Sequence, residues 1–177
     1  MQSEKRTKMN VRLLTFSALL CAMSIVLGKY LAIRGGEILR FSFENLPVIL
    51  AGIFFGPVAG ALVGVVADLL GCLLVGYAIN PIVTLGAFLI GLCSGLLWRP
   101  LGRISYGARV ALCVGASHLF GSVLVKTIGL SAFYDMPLGM LMLWRLLNYA
   151  IVGGLETLLV LAIVKNKAVG RLLRKEL

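Results

Sequence analysis

Residues 46–76 read LPVILAGIFFGPVAGALVGVVADLLGCLLVG, with a single charge, Asp68, in 31 positions. As one helix the run would be about 46 Å long at about 1.5 Å per residue. A bilayer's hydrocarbon core is about 30 Å thick. The break falls at Gly56-Pro57, where proline removes a backbone donor and restricts the residue before it. The run therefore predicts two helices, a short one over about 43–55 and a spanning one over 57–76.

The same pattern extends in both directions. Val11 to Ile33 is long enough to span, and no short core followed by a cleavage site marks it as a removable signal. Asn80-Pro81 breaks the chain before a helix over 82–98. Further helices are predicted over 108–130 and 139–164, with a loop over 131–138 between them. Hydrophobic residues make up 60% of the chain and charged residues 14%, and the mean hydropathy is +1.01. A soluble domain must solvate its outer faces, whereas a bundle in lipid need not. The expected fold is one all-α membrane domain, residues 1–177, with six transmembrane helices and basic tails over 1–10 and 165–177. Cys21, Cys72, Cys93 and Cys113 lie within apolar stretches with no CxxC pair and read as small packing residues.

The net charge of +10 reads as topology. Lys5, Arg6, Lys8 and Arg12 precede the first helix. Arg99, Arg103 and Arg109 join the fourth and fifth, and Lys165, Lys167, Arg171, Arg174 and Lys175 follow the sixth. The opposite side carries only Lys29, Arg34 and Arg40. Basic loops stay cytoplasmic, so both termini are expected in the cytoplasm and the number of crossings is even. The implied localisation is a membrane crossed several times by the chain.

Charges inside the spans are costly unless paired or in a wet cavity. With this topology Lys126, Arg145 and Asn148 reach one outer level, and Trp144 neighbours Arg145. The outer loops add Arg34, Arg40, Tyr77, Asn80 and Tyr134, with ring faces from Trp144, Phe133 and Phe41. Several cations, few acids and several rings suit a flat, aromatic, anionic solute. Lys126 and Arg145 also fit snorkelling to the interface. Asp68 lies near the midplane and fits either ligand contact or pairing within the bundle. A lone His118 suits a hydrogen bond between helices, and Glu156 lies too deep for an outside solute. Trp98 beside Arg99 suits an anchor at the inner interface.

No phosphate loop, HExxH or GxSxG occurs, so no catalysis, metal or other cofactor is expected. Energy for moving a solute then comes from elsewhere, an ion gradient or another subunit, and a solute-binding subunit is the first class to weigh. A stand-alone proton-coupled carrier using Asp68 and His118 is the second class, and a membrane enzyme the third.

Three blocks carry a family resemblance. They are the small pair Ala18 and Ala22 in the first helix, the run LRFSFENLP over 39–47, and GIFFGPVAG over 52–60 leading into ADLLG over 67–71. The chain resembles the substrate-binding S components of energy-coupling factor (ECF) vitamin transporters, with the folate-type members nearest. The resemblance implies high-affinity capture of a vitamin from outside and assembly with one transmembrane coupling subunit and two cytoplasmic ATPases. It implies that Ala18 and Ala22 lie on the docking face and that the segment from Arg34 to Glu44 helps close the site, with Asn45 at its end. The turn Gly76-Tyr77-Ala78-Ile79-Asn80-Pro81 departs from the aromatic, proline-rich turn of folate-type members. Folate is the expected guest, and another vitamin or precursor such as pantothenate the alternative.

Overall fold

The computed structural model describes residues 11–35 and 39–166, and for Arg34, Gly35, Leu39 and Arg40 the backbone alone. The basic tails over 1–10 and 167–177 lie outside the described residues. Six helices follow one another. α1 spans Val11–Tyr30, its last turn (Val26–Tyr30) wound as a π-helix. α2 is Asn45–Phe55, α3 Pro57–Val75 and α4 Pro81–Trp98. α5 is Tyr106–Tyr134 with a π-helical stretch over His118–Val125, and α6 is Leu138–Lys165. All but α2 are long and apolar enough to cross a bilayer.

The breaks have local causes. Gly56 sits at φ 92° between α2 and α3, and Pro57 opens α3 at a position that needs no donor. Asn80 caps α4, its side chain accepting from the backbone N–H groups of Ile82 and Val83 at 3.0 and 3.4 Å. α5 runs on through the stretch read as a loop and ends at Tyr134, where Asp135 turns left-handed at φ 50°. The polar segment after α1 carries two short strands in an otherwise helical fold. It forms a two-stranded antiparallel hairpin, β1 (Ile33–Gly35) with β2 (Leu39–Phe41), pairing Arg34 with Arg40. These are the only strands among the described residues.

α2 is the centre of the bundle. Asn45 through Ile53 are all buried, because eleven residues cannot span and are wrapped by α1, α3 and α4 instead. α3 and α4 touch backbone to backbone. A Cβ on Gly60 would lie 2.7 Å from the Gly91 carbonyl oxygen. Such close approach through small residues is how membrane helices gain dispersion contact without a hydrophobic driving force. Ile49, Ile90, Val110, Val114 and Val160 fill the space between. At the end holding Arg99–Arg109, the Arg109 guanidinium lies 3.7 Å from the Trp98 ring centroid.

Candidate solute-binding cleft

Every helix end next to the hairpin contributes to one cleft of about 180 Å³. It lies opposite the Arg99–Arg109 connection. α1 supplies Lys29, the entry to α2 supplies Ser42 and Glu44, and α3 supplies Asp68 and Cys72. Tyr77 and Asn80 come from the following turn, Lys126 and Tyr134 from α5, and Arg145, Asn148 and Tyr149 from α6.

Lys126 is buried rather than snorkelling, at 4% exposed. Its Nζ donates to Glu44 Oε1 at 3.2 Å. Its stem crosses α4 over Gly86, where an added Cβ would lie 2.5 Å from Lys126 Cγ. Lys29 points Nζ toward Cys72 Sγ at 3.8 Å and over the Tyr77 ring at 5.5 Å. Asp68 Oδ2 accepts from Thr84 Oγ1 at 2.7 Å, so its partner within the bundle is a hydroxyl.

Arg145 is held differently. Its Nε and Nη2 donate to the Ser122 carbonyl at 3.3 and 3.0 Å, and Nη2 also reaches Tyr149 Oη at 3.4 Å. Ser122 belongs to the π stretch of α5. Among the described residues, no carboxylate lies within ion-pair distance of Arg145 or Lys29. Among the described residues, three cations and two acids line the cleft, an excess of positive charge in a setting where an unpaired cation is costly.

Of the residues expected at the site, Asp68, Tyr77, Asn80, Lys126, Tyr134, Arg145 and Asn148 meet at the cleft. Asn80 is spent on structure, since its amide also donates to the Gly129 carbonyl at 2.7 Å. Asn45 lies outside the cleft, 2% exposed, and donates to Ser122 Oγ at 3.4 Å. It lines a separate polar void of about 20 Å³ shared with Lys29, Glu44, Asp68 and Lys126, large enough for about one water. Trp144 faces away, 38% exposed, because one residue turns a helix by about 100° and Arg145 already points inward. Phe133 is likewise exposed and packs on Tyr134, with centroids 5.3 Å apart. The side chains of Arg34 and Arg40 lie outside what the structure describes; their backbones are paired across the two strands. Lys29, Glu44 and Tyr149 are additional cleft residues that the charge and aromatic pattern did not single out. His118 makes the expected bond between helices, and its partner is Glu156.

Residues 12–164 match the family model described as "ECF transporter, substrate-specific component". The folate transporter FolT of Clostridium novyi (strain NT) is 29% identical over 142 residues, 80% of this chain and 81% of that one. A crystal structure of FolT bound with folic acid superposes with a TM-score of 0.69 at 23% identity, covering 84% of this chain and 88% of the other. The S component for biotin of an ECF-type ABC transporter superposes with a TM-score of 0.66 at 20% identity, over 88% and 92%.

Proposed function

Because this chain belongs to the family of ECF transporter substrate-specific components, we propose that it is the folate-capturing subunit of an ATP-driven importer in a bacterial plasma membrane. The observation that carries this reading is Arg145, which meets no carboxylate among the described residues, set beside Lys126 and Lys29 in the cleft. A carboxylate guest neutralises these cations, and Tyr77, Tyr134 and Tyr149 offer ring faces for a flat heterocycle. Asp68, oriented by Thr84, accepts hydrogen bonds from the ring's amino and N–H groups. A cleft of about 180 Å³ holds the ring system, and the rest of an extended guest lies toward the hairpin. The name of the Clostridium relative supports folate over other carboxylate vitamins.

Both termini lie in the cytoplasm in this reading, and the cleft opens outward beneath the hairpin, where the guest arrives. The chain carries no phosphate loop, so the energy comes from partners: a transmembrane coupling subunit and two ATPases. Ala18 and Ala22 form the docking face. α1 buries Cys21, Ser24 and Ile25 against the bundle, while Ala18 and Ala22 remain exposed beside that packed side. A stand-alone carrier using Asp68 and His118 as a relay is less well supported, since His118 is tied to Glu156 and Asp68 to Thr84.

Calorimetric titration of the purified chain with folic acid, without nucleotide or partner subunits, tests this function. Saturation at micromolar or lower concentration is expected. Failure to saturate there removes folate as the guest, and mass spectrometry of co-purified small molecules then identifies the one that binds.

A further inference from the structure

His118 and Glu156 are two ionisable side chains that do not line the cleft. They are 3% and 0% exposed. His118 Nε2 lies 2.5 Å from Glu156 Oε2, and Nδ1 lies 3.4 Å from Ser122 Oγ. The other carboxylate oxygen, Oε1, has no hydrogen-bond partner among the described residues. Stability does not explain such a pair. Within a span its desolvation is costly, and apolar replacements of similar volume are often neutral or stabilising.

Its contacts lead toward the cleft. The His118 ring stacks on Tyr149, with centroids 4.9 Å apart and planes 27° from parallel. Tyr149 lines the cleft, and its hydroxyl meets Arg145 Nη2. The Arg145 guanidinium also lies 5.3 Å from the Tyr149 ring centroid. Glu156, His118, Tyr149 and Arg145 thus form one continuous column. Glu156 and Arg145 are separated by about 16 Å along α6 at about 1.5 Å per residue.

The column needs an anchor. On its far side His118 borders an open groove of about 390 Å³ between α5 and α6, floored by Gly115, Gly153 and Gly154. Gly153 lies against the ring, where an added Cβ would be 3.2 Å from His118 Cδ2. The polar contacts that fix the ring's orientation are a long one to Ser122 and a short one to Glu156, beside the stack on Tyr149.

We propose that Glu156 is a positioning residue for ligand capture: through His118 and Tyr149 it holds the Arg145 guanidinium in place for the guest's carboxylate. This inference rests on the proposed function for its ligand, but not for its geometry. Glu156→Leu removes the anchor. Glu156→Gln keeps an oxygen that accepts from His118 and so rescues it.

With folic acid as probe, Glu156→Leu is expected to weaken binding about tenfold, the scale of coupling between contacting residues, and to lower Tm, because the buried His118 N–H loses its partner. Glu156→Gln stays near wild type. In an Arg145→Ala background Glu156→Leu brings no further loss. The same column is read without ligand from the ¹⁵Nε–¹H signal of Arg145, which stays sharp in wild type and Glu156→Gln and broadens in Glu156→Leu.

The inference is overturned if Glu156→Leu leaves both affinity and the Arg145 signal unchanged. It is equally overturned if the loss persists in Arg145→Ala, or if glutamine does not rescue it. A wild-type chain that ignores folic acid sinks the folate reading alone, and the Arg145 signal then decides the inference.

Discussion

Arg145→Ala is expected to cost about 2–4 kcal/mol of folate binding, the usual penalty for truncating one partner of a buried charge pair, or roughly a hundredfold in Kd. The magnitude follows from its surroundings. Lys126 already has Glu44 at 3.2 Å, so removing a guest leaves Lys126 paired. Among the described residues, Arg145 has the Ser122 carbonyl and the Tyr149 hydroxyl as hydrogen-bond partners, both neutral. A carboxylate is therefore its one strong partner, and the two groups become an ion pair only in the complex. Arg145→Lys retains the charge but not the fork that bridges Ser122 and a carboxylate together, so its affinity falls between the two. Calorimetry gives the Kd values, and an unchanged Tm excludes unfolding as their cause. Wild-type affinity in Arg145→Ala would return this side chain to a purely structural role.

Ala22→Trp, and likewise Ala18→Trp, is expected to abolish assembly with the coupling subunit and its ATPases while leaving folate affinity intact. Both alanines are exposed on α1, so an indole there points away from the packed side of the helix among the described residues. Two helices in lipid associate by backbone proximity, and a side chain of that size on the contact face prevents it. Co-purification of the ATPases reads the effect. Retained ATPases with both bulky variants would place the docking face elsewhere.

The bundle is legible in the chain because its causes are local. Gly56-Pro57 and Asn80-Pro81 stop helices by sterics alone, and apolar length marks the spans. The hairpin is not legible, since strands of three residues are too short to show alternation. The site is half legible for a related reason. Lys126 and Arg145 stand out as charges in oily runs, and both reach the cleft. Lys29 lies within a π turn and Lys126 directly after one, where a periodicity of 3.6 no longer tells which way a side chain faces. Trp144 misleads in the opposite sense, since adjacency to Arg145 in sequence puts it on another side of α6. Asn80 borders the cleft, yet its hydrogen bonds belong to the α4 cap and to Gly129. Glu44 is hidden because its partner Lys126 is 82 residues away.

The central claim is that buried positive charge in the cleft is tolerated because an anionic guest neutralises it. Parallel titrations of the wild-type chain with folic acid and with its diamide, in which both glutamate carboxyls are amides, test it most directly. The two share rings, shape and size and differ at the two glutamate groups, where charged carboxylates give way to neutral amides. The diamide is expected to bind at least about a hundredfold more weakly, the loss of one buried charge pair; equal affinity for the two would contradict the claim.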